Sequence, residues 1–128
     1  MKLRIKGNSV RLRLTRSEVA KLLDIGHIEE TIHFSPQEQS RLTYSLRVKP
    51  DLSSATLRYQ PPEIAVVLPT KEATTWAKDN QVGIYATVDL GLCGILDLLV
   101  EKDFACLDGS DADNLDTFEN PGTTGICP

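Results

Sequence analysis

The chain repeats its apolar pattern at a fixed offset of 54 residues. Leu3, Val10, Leu12, Leu14, Leu22, Ile28, Leu42 and Leu46 match Leu57, Ile64, Val66, Leu68, Trp76, Val82, Leu96 and Val100. Ile5/Tyr59, Val19/Ala73, Leu23/Ala77, Ile32/Ala86, Phe34/Val88 and Tyr44/Leu98 extend the match without a gap. Among these core positions only Glu30/Ile84 breaks it. With 41% apolar residues, chance alone would fill far fewer of these positions twice. One supersecondary unit is therefore present in two copies, and two such units can share one core.

Each copy reads strand, strand, helix, strand, strand. In the first, Leu3 and Ile5 alternate with Lys2, Arg4 and Lys6, the period of a half-buried strand. Gly7-Asn8-Ser9 suits a tight turn. Val10, Leu12 and Leu14 then alternate with Arg11 and Arg13. Thr15-Arg16-Ser17-Glu18 fits a capping box ahead of a short helix carrying Val19, Leu22 and Leu23. Gly26 suits its C-terminal stop. Ile28, Glu30, Ile32 and Phe34 share a third strand, and Leu42, Tyr44, Leu46 and Val48 a fourth. The second copy follows, with Pro61-Pro62 at the first turn and Pro69-Thr70 leading a helix with Ala73, Trp76 and Ala77.

Eight short strands and two helices predict an α+β, mostly β fold. The expected architecture is a compact closed barrel of two ββαββ repeats, because closure leaves no sheet edge. Repeats at 1–50 and 51–103 form one domain, and 104–128 an irregular acidic tail with Phe104, Leu115 and Phe118 as packing residues.

The net charge of −4 is unevenly spread. Residues 1–50 carry ten Lys/Arg against five Asp/Glu; residues 101–128 carry Lys102 against seven acids. No apolar stretch approaches the roughly 20 residues of a membrane span. The start of the chain lacks the apolar core of a signal peptide. A cytoplasmic protein is expected, with Cys93, Cys106 and Cys127 as thiols.

Gly7-Asn8-Ser9-Val10-Arg11-Leu12-Arg13-Leu14-Thr15, followed by a short helix and two strands, resembles the swapped-hairpin domain of the AbrB/MazE family. Leu12-Arg13-Leu14-Thr15 stands where that family reads Val-Arg-Ile-Pro. The second copy has Pro61-Pro62-Glu63 for Gly-Asn-Ser but keeps Val66-Val67-Leu68-Pro69. The resemblance covers residues 2–103 and implies a single-chain pseudodimer, hence a monomer. The opening stretch and Val100 to Cys106 also resemble a group of small bacterial proteins with no assigned activity, which implies a bacterial source.

The AbrB/MazE resemblance implies a binding module, a DNA-binding regulator or antitoxin relative, with Arg4, Lys6, Asn8, Arg11 and Arg13 as nucleic-acid contacts. Most of these charges are missing from the second copy, where Arg11 and Arg13 become Ala65 and Val67. A symmetric reader of a palindrome is therefore not expected. The alternative is a protein-interaction or structural module that has lost DNA binding, with the acidic tail as partner-binding segment or as a cover for the basic face. His27, Glu29, Thr31 and His33 share one strand face, which could hold a metal but more often is simply solvated. No metal or other cofactor is expected. The chain has no P-loop, GxSxG, HExxH or CxxC motif, so an enzyme, as a tunnel-type phosphohydrolase, ranks third.

Overall fold

The period-two segments form strands close to where their alternation places them. The computed structural model describes residues 1–104 and Phe118. In chain order these are β1 (Lys2–Lys6), β2 (Ser9–Leu14), α1 (Arg16–Ile25), β3 (His27–His33), β4 (Arg41–Lys49), β5 (Thr56–Gln60), β6 (Glu63–Pro69), α2 (Thr70–Lys78), β7 (Gly83–Asp89) and β8 (Ile95–Lys102). A single 3-10 turn at Gly91–Cys93 lies between the last two strands.

Helix α1 starts where its capping box predicts. Thr15 Oγ1 accepts from the Glu18 N–H, and Glu18 Oε1 accepts from the Thr15 N–H at 2.9 Å. Gly26 stops it at φ 84°, its N–H donating to the Leu22 carbonyl at 2.9 Å. The left-handed backbone is why glycine stands there. Helix α2 has no side-chain cap. It is held instead by Trp76, fully buried, whose indole N–H donates to the Val82 carbonyl at 3.2 Å.

The strands form two four-stranded sheets. The first runs β1-β2-β8-β7 and the second β3-β4-β6-β5. Each sheet takes one hairpin from each repeat. The joins are the parallel pairs β2/β8 and β4/β6; every other pairing is antiparallel. Leu12, Leu14, Leu98 and Val100 of the first sheet meet Leu46, Val66 and Leu68 of the second, with Leu22 and Trp76 from the helices, in one core. Each such leucine or valine contributes about 1.5–3 kcal/mol by leaving water.

The closed, AbrB/MazE-like barrel does not form: neither sheet closes, and β1, β7, β3 and β5 remain edges. Alternation requires only that each strand bury one face. Two sheets over a common core satisfy that as well as a barrel does. The edges are protected by charge instead of closure. Lys2, Arg4 and Lys6 lie on β1, and Glu29, Glu30 and two histidines on β3.

The repeat also contains a gap. Ile28 faces Leu46 and Ile84 faces Val100. Leu46 and Val100 are 54 residues apart, but Ile28 and Ile84 are 56 apart. Two extra residues enter at 79–82, before β7, and two are lost from the β7–β8 turn. The backbone agrees. Val48 N–H donates to the Gly26 carbonyl at 3.0 Å, and Lys102 N–H to the Val82 carbonyl at 3.1 Å. The mismatch of Glu30 with Ile84 was thus a register effect. Glu30 instead contacts the α-amino group of Met1 at 2.9 Å, which also meets Glu18. Burial alone would lower the pKa of that amino group; bonding to the two carboxylates outweighs this and raises it.

Among the described residues no helix is long and apolar enough to cross a membrane. Leu115, Cys106, Cys127 and the tail acids lie outside the described residues. Phe118 is described and returns to the domain. It lies edge-on to Phe104, ring centroids 6.2 Å apart, and its N–H donates to the Asp103 carbonyl at 2.8 Å.

Candidate polyanion-binding face

Strand parity assigns the outer face of the first sheet. Leu3, Val10, Leu12 and Leu14 point to the core, so Lys2, Arg4 and Lys6 of β1 and Ser9, Arg11 and Arg13 of β2 point away from it. The hairpin register sets Lys2 opposite Arg13 and Arg4 opposite Arg11. Like charges directly opposite each other cost stability. Here two such pairs are adjacent and surround a depression of about 140 Å³ lined by all four cations.

Carboxylates offset this only in part. Arg11 reaches Glu101 at 2.6 Å and Lys2 reaches Asp103 at 3.1 Å. Among the described residues, Arg4, Lys6 and Arg13 have no carboxylate within ion-pair distance. Burial, then the nearby Arg11 charge, push the Arg13 pKa down, although Glu101 and Asp103 act against this. A guanidinium held this way gains from any anion that enters.

Four of the five predicted contacts therefore share this face, three of them close together. Asn8 has another task. Its side-chain amide donates to the Ile95 carbonyl at 2.7 Å, and its own carbonyl accepts from Asp97 N–H at 3.1 Å. It fastens the first hairpin turn to β8. In the second sheet the Pro62 carbonyl accepts from Thr43 N–H at 2.9 Å in the equivalent place. The repeated element is a backbone carbonyl, which proline also supplies, so Gly-Asn-Ser need not recur.

The rest of the face comes from β8 and β7. Across the sheet, one row reads Arg4, Arg11, Leu99, Tyr85; the next reads Lys6, Ser9, Asp97, Thr87. A hollow of about 500 Å³ lies beside the cations, lined by Ser9, Tyr85, Thr87, Asp97 and Leu99 among others. Tyr85 is 61% exposed. Sequence reading missed Tyr85 and Asp97. The available signal was parity: Tyr85 alternates with core residues Ile84 and Ala86, which sets an aromatic ring on the solvent side.

The second sheet keeps a concavity in the equivalent place with different chemistry. Arg47, Arg58, Gln60, Glu63 and Ala65 line a depression of about 210 Å³. Arg47 is paired to Glu63 at 3.0 Å. Hydrogen bonds from Arg47 and Ser45 hold the Glu63 carboxyl below its usual range. His27, Glu29, Thr31 and His33 lie along the outer face of edge strand β3. No group of three or more His, Cys, Asp or Glu among the described residues is placed to hold a metal.

Residues 1–122 match a family of unknown function, DUF7009, and the chain belongs to that family. No curated protein and no solved structure matches the chain. The AbrB/MazE assignment is corrected by this result. The motif behind it, a Gly-Asn turn between alternating strands, is what hairpin geometry asks of many unrelated sequences.

Proposed function

We propose that this member of a family without assigned activity is a binding module for a phosphate-rich polyanion, received on the β1–β2 side of the first sheet. The single observation that carries the reading is the pair of like-charge cross-strand contacts, Lys2/Arg13 and Arg4/Arg11, around a small depression. A phosphate group there would relieve both repulsions. Arginine is suited to it, because its planar fork donates two parallel hydrogen bonds to phosphate oxygens.

Duplex DNA fits this face less well than the sequence implied. The basic hairpin is half of a four-stranded sheet, not a free two-stranded ribbon. Its outer strands lie roughly 14 Å apart by strand spacing, wider than a major groove of about 12 Å. A cytoplasmic setting belongs to the proposal, since exposed Cys93 is a free thiol and such thiols persist where the medium is reducing.

The test is titration of labelled inorganic polyphosphate by fluorescence anisotropy across a salt series. Binding that weakens linearly in log Kd against log salt, and is lost in Arg4→Ala/Arg13→Ala, supports the reading. No binding at low salt overturns it.

A further inference from the structure

We propose that the polyanion is single-stranded nucleic acid, with one base stacked against Tyr85 and the adjoining phosphate held by Arg4, Arg11 and Arg13. This rests on the polyanion reading and deepens it. Charge on the outer face is segregated across the strands. Its cations lie on β1 or β2; Asp89, Asp97 and Glu101 lie on β7 or β8, and Asp103 just past the end of β8 against Lys2. A chain laid on this face is therefore steered, phosphates over β1–β2 and uncharged bases over β8–β7.

The base side is built for a ring. A Cβ on Gly83 would lie 3.4 Å from Tyr85 Cζ, so the tyrosine ring leans over the space that this glycine leaves. The ring stays 61% exposed. Leu99 forms an apolar floor between Tyr85 and Arg11, its cross-strand neighbours. From β2 to β7 is two strand spacings, roughly 10 Å, a span that one nucleotide and its neighbouring phosphate can bridge. Stacking on an aromatic ring needs an unpaired base, which a duplex does not offer.

The hollow's polar lining adds a preference. Among the described residues the Asp97 carboxylate has no ion-pair partner. It accepts a hydrogen bond from an exocyclic amino group such as cytosine N4, and repels the O4 carbonyl of uracil or thymine.

The experiment uses the full chain with labelled eight-nucleotide oligo(C) and oligo(U), their deoxy counterparts, a duplex of the same length, and inorganic polyphosphate. Cytosine oligomers should bind about tenfold or more tightly than the duplex, and more tightly than uracil or thymine oligomers. Tyr85→Ala should lose about tenfold on cytosine oligomers and leave polyphosphate unchanged, while Tyr85→Phe keeps both. Asp97→Asn should remove the base preference. The ribose and deoxyribose arms identify which strand is taken, and a preference for either supports the proposal. Polyphosphate binding with no gain for single strands and no effect of Tyr85→Ala overturns this inference and leaves the polyanion reading standing. Failure of every probe at low salt overturns both.

Discussion

Arg11 donates to one oxygen of Glu101 twice, from Nε at 3.1 Å and from Nη2 at 2.6 Å. The two residues belong to different repeats and meet across the parallel β2/β8 join. The second sheet places Arg47 against Glu63 across its own parallel join, β4/β6. Arg47 and Glu101 are equivalent positions, 54 residues apart. Each join thus carries a charge pair built on one shared position of opposite sign, with partners at different positions, since Arg11 corresponds to Ala65 and Glu63 to Ser9.

In the first sheet, that carboxylate competes with any incoming phosphate for Arg11. Glu101→Gln keeps the shape and removes the charge. A unit charge at about 4 Å is worth roughly 1 kcal/mol in water, so polyphosphate should bind roughly fivefold more tightly to the variant. Arg11→Ala should move the affinity the other way. An anisotropy titration of both variants at one low salt concentration checks the pair, and a loss of affinity in Glu101→Gln would contradict it.

The Arg47/Glu63 pair makes a pH prediction. Hydrogen bonds from Arg47 and Ser45 favour the ionised carboxyl, so its folded pKa lies below the ordinary 4.5. The unfolded chain takes up this proton first as pH falls. The stabilisation is therefore complete above 4.5 and is lost as pH drops through the lower, folded pKa. Urea unfolding of the wild type and Glu63→Gln at pH 7 and pH 3 tests the sign: their difference in stability should shrink at the lower pH.

Phe118 is, with Phe104, a tail residue whose contacts are defined. Besides Phe104, its ring faces Lys102 Nζ at 5.3 Å and Arg16 Cζ at 5.6 Å. Lys102 is itself buried, donates to the Asp79 carbonyl at 2.7 Å, and lies 5.9 Å from the Trp76 ring. Burial lowers its pKa. Aromatic and cation–π contacts of this kind are worth roughly 0.5–2 kcal/mol each. Phe118→Ala should cost about 1–3 kcal/mol in urea unfolding. Phe118→Leu should recover part of it through apolar contact alone.

Gly83 is a positional requirement on the proposed face. A Cβ there would lie 2.9 Å from both Glu101 Cγ and the Val100 carbonyl oxygen, and the backbone oxygen cannot swing aside. Gly83→Ala should therefore destabilise by about 1–3 kcal/mol, as overpacking does. It should also push Glu101 from its bonding position and displace the Tyr85 ring. Tyrosine fluorescence is masked by Trp76, so the readouts are the thermal midpoint and oligo(C) affinity, both of which should fall.

Much of the fold was legible because it is local. The capping box at Thr15/Glu18, the stop at Gly26 and the alternation of Val10, Leu12 and Leu14 each specify structure within a few residues. The strand pairing was not legible, since β2/β8 and β4/β6 join segments far apart in the chain and their alternation is the same in a barrel or an open sheet. The gap in the repeat was hidden for a related reason. A slip of one residue turns every side chain to the other face, but a slip of two restores it. Only Glu30 betrayed the shift. The basic face was read from parity, and its cations gather as parity implies. The bonds that tie Asn8 to β8 were not legible, because their partners Ile95 and Asp97 are remote in sequence. Nothing in the local sequence singles out Glu101, because its partner Arg11 lies 90 residues away.

The two extra residues before β7 can be tested directly. Residues 79–82 occupy the position that Gly26 fills alone in the first repeat. They carry bonds the first repeat lacks: Lys102 Nζ to the Asp79 carbonyl at 2.7 Å, the Gln81 side chain to the Gly83 carbonyl at 2.9 Å, and the Trp76 indole to the Val82 carbonyl at 3.2 Å. Deleting Asn80 and Gln81 brings β7 to a 54-residue offset from β3 and shortens the offset of β8 from β4 by the same two residues; it also demands a sharp turn that Val82, lacking glycine's freedom, does not make readily. The shortened loop also draws the Val82 carbonyl away from the Trp76 indole N–H, a donor at a fully buried site. An unsatisfied buried donor alone costs about 1–3 kcal/mol, so the deletion should lower stability by about 2 kcal/mol or more in urea. Asn80→Gly/Gln81→Gly keeps the length and leaves the Val82 carbonyl in place against the indole, and should cost less than the deletion. If the deletion variant unfolded at the wild-type midpoint, β7 would have to slip two residues along β8 at no cost, and the register of the first sheet would not be fixed by this loop.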